Sequence, residues 1–521
     1  MKTELSQYSH CRSNIGPYAD DLDVDVIIVG GGFGGVFCLK TLREHGLRTV
    51  LYEAGTDLGG TWRWNRYPGA RVDSEVPEYQ FSWPEVYKDW TWSTNYPNYQ
   101  ELRAYFDHVD KVLDIKKDWK WHVKTEDGRV AKAKYFIVSA GFALKRYIPP
   151  FKGLDKFKGI IHHSSFWPEE GVDVKGKRCA VIGTGASGVQ IAQEWGPVVG
   201  DMKVYQRTPN LAVPMQKRML TAEEQNLGKQ WYYRLYEYRE KCFGGFLYTM
   251  YEKNTFDDTP EDRDAFYHKL WDYGGFRFWL GNYKDMLINA DANKEAYNFW
   301  AKHVRTRIGD PRKRDIVAPL KMPHFFGVKR PCLEQNYYEQ FNRPNVDIID
   351  IKNNPIAEFT ETGIKLEDGS HEEFDVIAIA TGFDITTGGM THMGLKSINN
   401  TNLQDEWKAA ANTYLGMTVS GYPNMFHLYG PHGPTLLSNG PSTVEFQGRW
   451  IVDCIRKMER QNINNASLFP TTKSTYMGGS MPGKTFDQVN YAGGIPNYVV
   501  ECREALDGWN GFEIVKAKAK A

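Results

Sequence analysis

Two glycine clusters stand out as residues whose spacing could do chemistry. The first, Gly30-Gly31-Gly32-Phe33-Gly34-Gly35, follows the apolar run Asp25-Val26-Ile27-Ile28-Val29 and precedes a helix-like stretch ending near His45. Gly30, Gly32, Gly34 and Gly35 let the backbone turn tightly and approach a pyrophosphate, which then sits on helix N–H groups. The next strand-like run, Thr49-Val50-Leu51-Tyr52, leads into Glu53, where a carboxylate accepts hydrogen bonds from a ribose diol. A glycine-rich turn alone is common, but strand, turn, helix and acid in this order predict a dinucleotide site.

The second cluster, Gly183-Thr184-Gly185-Ala186-Ser187-Gly188, follows Arg178-Cys179-Ala180-Val181-Ile182. Its next strand, Met202-Lys203-Val204-Tyr205-Gln206, ends in Arg207-Thr208 and carries no acid at that point. A guanidinium there suits a 2′-phosphate, so this nucleotide is expected to be NADPH rather than NADH. A surface arginine is the plainer alternative, and the missing acid tips the balance against it.

Two dinucleotide sites in one chain mean that electrons pass between cofactors. One nucleotide brings hydride and the other is expected to be a flavin. Disulfide reductases share this layout but need a redox dithiol. The seven cysteines (Cys11, Cys38, Cys179, Cys242, Cys332, Cys454, Cys502) are scattered with no C-x-x-C pair, which disfavours a dithiol, a disulfide framework and a zinc site. Oxygen is the simplest remaining acceptor, and no metal is expected.

Three further stretches carry a resemblance. Phe157-Lys158-Gly159-Ile160-Ile161-His162-His163-Ser164-Ser165-Phe166-Trp167-Pro168 matches the F-x-G-x-x-x-H-x-x-x-W-P fingerprint of type I Baeyer–Villiger monooxygenases. Gly60 to Asp73 and Ala380-Thr381-Gly382-Phe383-Asp384 resemble two more signatures of that family, so that the likeness runs from about residue 24 to residue 510. It implies FAD and NADPH as cofactors and a small-molecule ketone and O2 as substrates, with an ester or lactone as product. It also implies roles: Thr61 and Trp62 beside the flavin, Lys329 assisting Arg207, and Arg330 reaching over the flavin with Asp73 to orient it. The chemistry needs such a cation, because negative charge develops as oxygen is activated and as it adds to the carbonyl. Tyr79 and Gln190 complete the expected cofactor-binding set, and Leu436 and Leu437 are expected in an apolar substrate pocket. Taken alone, Lys329-Arg330 could be a solvated turn and His163 a structural histidine; His163 is read as a domain-linker contact.

The sequence departs from the family in two places. Between Leu113-Asp114-Ile115 and Trp121-His122-Val123-Lys124 it is shorter by about two strands of about 5–6 residues each, where relatives contact the FAD adenine. Ser474-Thr475-Tyr476 stands where a Trp is usual. Two rival readings stay open: an N- or S-oxygenating flavin monooxygenase, against which Trp167, Arg330 and Asp73 argue, and a nucleotide-binding scaffold without catalysis.

The elements that must position these residues suggest an α/β fold with two Rossmann-like dinucleotide-binding domains and a helical insertion. The FAD domain is expected over 1–150 and 375–521, the NADPH domain over 151–214 and 326–374, and the insertion over 215–325. The stretch after about 384 looks mixed and turn-rich. With 521 residues, 41% apolar content and 64 basic against 64 acidic residues, the composition is that of a soluble globular protein with no bias towards nucleic acid or anionic membranes. No secretory signal or spanning segment is recognised, so a cytoplasmic setting is expected.

Overall fold

The computed structural model describes residues 22–115, 131–385, 387–434, 437–468 and 494–516. Its frame is two parallel sheets. The first has four strands in the order Met425–His427, Ala131–Val138, Leu22–Val29, Thr49–Tyr52. Val26 and Ile28, on one face of it, are fully buried, whereas Ile27 and Val29 on the other face are half-buried. Helix Phe33–Glu44 packs against the long helix Gly440–Arg460, and they approach so closely that a Cβ on Gly448 would press into the Phe37 ring.

The second sheet has five parallel strands in the order Ile160–His163, Val376–Ile379, Arg178–Ile182, Asp201–Gln206, Val346–Asp350. Strand Val376–Ile379 is thus an interior strand here, although the boundary drawn at residue 375 assigned it to the first domain. Its four residues are buried and uniformly apolar, a pattern that predicts an interior strand but not which sheet it joins. An antiparallel meander, Ile356–Phe359, Gly363–Leu366 and His371–Glu373, precedes it.

The stretch after 384, which looked turn-rich, contains the 21-residue helix Gly440–Arg460 and the helix Gly494–Gly508. Gly440-Pro441 has the look of loop punctuation, yet proline suits the first helical turn, where its missing N–H costs nothing. Asn439 caps that turn, its Oδ1 accepting from Ser442 N at 3.0 Å. Residues 215–325 form helices, among them Tyr232–Arg239, Pro260–Tyr273 and Ala290–Thr306.

The chain crosses between the sheets twice, near 140–157 and near 380–384, and the crossings are hydrogen bonded to each other. Tyr147 N donates to Gly382 O at 2.8 Å and Asp384 N to Lys145 O at 2.8 Å. His163 joins them: its Nδ1 accepts from Ser165 N at 3.1 Å, so Nε2–H donates to Gly382 O at 3.1 Å. Burial and the Arg146 charge push its pKa down to about 4, leaving it a neutral tie. Among the described residues, no helix is long and apolar enough to cross a membrane.

Candidate active site

The first glycine turn is built for a close approach. Gly30 has φ +108°, and a side chain there or at Gly35 would collide with backbone carbonyls of Ser139 or Gly30. Helix Phe33–Glu44 begins at Gly32 with no side-chain cap and no acid in its first turn, leaving its N–H groups for an anion. Glu53 is 9% exposed, and its Oε2 and Oε1 accept from Gly31 N at 2.5 Å and Gly55 N at 2.7 Å. Burial raises its pKa and these N–H groups oppose the rise. A glycine cradle, an uncapped helix terminus and a fixed carboxylate together fit the diphosphate and ribose of a dinucleotide.

The second turn repeats the geometry. Gly183 has φ +106°, and helix Ala186–Trp195 starts at Gly185 without a side-chain cap. A Cβ on Gly185 would meet open space, whereas one on Gly188 would strike the Gly183 carbonyl. Thr184 Oγ1 donates to Thr208 O at 3.0 Å, tying the turn to the end of the next strand. Arg207 and Lys329 stand near one another there, and neither has an ion-pair partner among the described residues. Desolvation, then the Arg207 charge, lowers the Lys329 pKa. Two neighbouring cations without a carboxylate partner among the described residues are chemically suited to a phosphate. Gln190 and Ser187 also contact the first domain: Tyr67 OH donates to Gln190 Oε1 at 2.8 Å, Gln190 Nε2 to Arg71 O at 3.4 Å, and Ser187 bonds Tyr67.

Arg330 is gripped on several sides. Its Nε and Nη2 donate to Asp73 Oδ2 and Oδ1 at 2.7 and 2.8 Å, and Nη1 donates to Ser438 O at 3.0 Å. The guanidinium carbon lies 4.7 Å from the Phe276 ring centre and 5.8 Å from that of Phe246. Burial works against its charge, but Asp73 outweighs it and holds Arg330 protonated. Nearby, Trp62 Nε1 donates to Tyr79 OH at 3.0 Å, while Thr61, bonded to Asn65, is exposed. Half-buried Tyr429, whose pKa desolvation pushes up to about 12, senses both Arg330 and Asp73.

Leu437 is buried in the main apolar core; Leu436, the shortened stretch around 116–120, Ser474-Thr475-Tyr476 and Met481-Pro482-Gly483-Lys484 lie outside the described residues. Phe246, Phe276, Tyr429 and the Ser438 carbonyl were not anticipated around Arg330. The pair Gly274-Gly275, with φ +73° and +61° just before Phe276, was the only local signal.

Residues 24–230 match the family model of pyridine nucleotide-disulphide oxidoreductases, although the described cysteines are all free and buried. The chain is 55% identical to the FAD-binding monooxygenase acrE of Aspergillus aculeatus over 99% of its length and 93% of that protein's. It is 38% identical to the cyclopentanone 1,2-monooxygenase of a Comamonas species, over 94% and 96% of the two chains. A crystal structure of OTEMO with FAD and NADP superposes with a TM-score of 0.88 at 30% identity, covering 94% of this chain and 99% of that one. With the fingerprint around Trp167, the paired nucleotide turns and these similarities together, the chain belongs to the Baeyer–Villiger monooxygenase family of flavoproteins.

Proposed function

We propose that the Arg330–Asp73 pair is the catalytic centre of an FAD-, NADPH- and O2-dependent oxidation of a ketone to an ester or lactone. The observation that carries this reading is a protonated guanidinium, fixed at two points by one carboxylate and flanked by aromatic rings. The first glycine turn and Glu53 would hold FAD; the second turn, Arg207 and Lys329 would hold NADPH. FAD, when bound, supplies the two-electron relay between NADPH and O2. The work of the protein's own groups is electrostatic and positional. Asp73 keeps Arg330 in one orientation, and Arg330 meets negative charge as it develops on oxygen, needing little reorganisation. Phe246 and Phe276 cover part of the guanidinium, and this lower-dielectric side strengthens its field.

Purified, FAD-loaded protein tests this reading. Cyclic and linear ketones should each be offered with NADPH under air, with ester or lactone measured by gas chromatography. Ketone-dependent formation of an ester or lactone is expected. NADPH oxidation that yields only N- or S-oxides from amines and sulfides would replace this reading with the other oxygenating one.

A further inference from the structure

Two histidines on the helical insertion, remote from Arg330 in the chain, face each other through the same atom. His268 lies on helix Pro260–Tyr273 and His303 on helix Ala290–Thr306, with their Nε2 atoms 3.0 Å apart. The backbone decides which nitrogens carry hydrogen. His268 Nδ1 lies 2.8 Å from Asp264 O and His303 Nδ1 lies 2.9 Å from Phe299 O. A carbonyl oxygen only accepts, so both Nδ1 atoms are donors and both neutral rings turn an Nε2 lone pair towards the other. Two lone pairs at this distance repel unless a cation sits between them.

We infer that His268 and His303 form a two-imidazole site for a divalent first-row metal ion such as Zn2+, bridging the two helices. Zinc–nitrogen bonds of about 2.0–2.1 Å separate tetrahedral ligands by about 3.3 Å, close to the spacing seen. Imidazole suits this class of cation. The outer bonds are those of ligating histidines, whose second N–H ordinarily donates to a carbonyl or carboxylate. Asp264 Oδ2 adds a carboxylate 3.2 Å from His268 Nδ1. The rings are also held in place: His303 stacks on Phe299 with centres 4.0 Å apart, and His268 meets Phe299 edge-on at 5.0 Å. The His268 side chain is 44% exposed, which gives an ion a path in and leaves room for water to complete the coordination. No cluster of three or more His, Cys, Asp and Glu side chains able to hold a metal occurs among the described residues. The site therefore offers two protein ligands, a helix clamp rather than a resident catalytic centre.

Untagged, FAD-loaded protein should be titrated with ZnCl2 above neutral pH by calorimetry, beside His268→Gln and His303→Gln. One equivalent bound by the unaltered protein and lost in each variant is expected. Zn2+ should raise the melting temperature of the unaltered protein only, since a ligand selective for the folded state stabilises it. Metal-free melting temperature and ketone-dependent NADPH oxidation should match in all three. If His303→Gln fails to fold, the more exposed His268→Gln carries the comparison. Equal zinc binding by the unaltered protein and a folded variant would overturn the site. So would an absence of binding, with one imidazole of the pair remaining protonated by NMR, since the bridging cation would then be a proton.

Discussion

Arg330 and Asp73, 257 residues apart in sequence, meet in a two-point ion pair with both N–O distances below 2.9 Å. A guanidinium held at one point can swing; held at two it keeps its plane. Ser438 O and the Phe276 face fix the side that Asp73 leaves. What the pair provides is a charge of fixed direction.

Arg330→Ala should separate cofactor oxidation from oxygen insertion. Arg330 neither gives nor receives the electrons, so NADPH oxidation should continue. Product should fall by about 10²–10³-fold, the scale of losing one preorganised charge-stabilising group. Asp73→Ala should show a milder loss, because the cation remains but is less directed. Following NADPH, hydrogen peroxide and ester together checks both, and normal ester yield from Arg330→Ala would remove it from the centre.

Arg207→Ala should raise KM for NADPH and leave KM for NADH little changed. Its guanidinium has no carboxylate partner among the described residues, so its removal strands no internal charge. Steady-state kinetics with both nucleotides decides the matter. Equal use of the two by the unaltered enzyme would contradict the assignment.

The preference for NADPH should weaken at alkaline pH. Desolvation and the Arg207 charge put the Lys329 pKa below the usual lysine range, so its charged form is present at low pH and lost as pH rises through that lowered value. One phosphate-binding cation then disappears. The ratio of kcat/KM for NADPH over NADH should fall along the alkaline limb, and Lys329→Arg should extend the plateau upwards. A ratio insensitive to pH there would exclude Lys329 from the phosphate.

Arg239→Met should destabilise the fold by about 3–5 kcal/mol, the range for breaking a buried ion pair from one side. Arg239 and Glu445 are 1% and 0% exposed and 2.5 Å apart. Glu445 also accepts from Ser82 N at 2.8 Å, so its carboxylate cannot leave easily. Urea unfolding measures the change; a loss under 1 kcal/mol would mean that Glu445 finds another partner or a proton. Replacing both residues by apolar ones should recover much of the loss.

Both nucleotide turns were legible because their glycines answer a local need: Gly30 and Gly183 adopt a backbone conformation other residues avoid, and Gly35 and Gly188 touch carbonyls. Three strands of the second sheet, Arg178–Ile182, Asp201–Gln206 and Val376–Ile379, were legible as strands, whereas Ile160–His163 and Val346–Asp350 were not, and neither was the order of the set. Val376–Ile379 looks the same from its residues whether it joins one sheet or the other, and only tertiary pairing places it between Ile160–His163 and Arg178–Ile182. Arg330 and Asp73 came from a likeness of motifs, since nothing local ties residues so far apart. The rings around Arg330 were hidden for a related reason. Phe246 and Phe276 lie in the insertion, where an aromatic-rich stretch reads as helix packing, and their approach to the guanidinium is a property of the assembled core.

The second sheet is threaded into the first between Val138 and Met425, and this nesting sets an order of biosynthesis. All five inner strands have been synthesised by Ile379, whereas the outer sheet still lacks its edge strand Met425–His427 and the helix Gly440–Arg460 that covers Phe37. A nascent or truncated chain ending before residue 425 therefore carries a complete inner sheet beside an outer one with an open edge and a bare apolar helix face. Such a fragment would hold the second glycine turn without the finished seat for the first, and its exposed face would draw chaperones or aggregate.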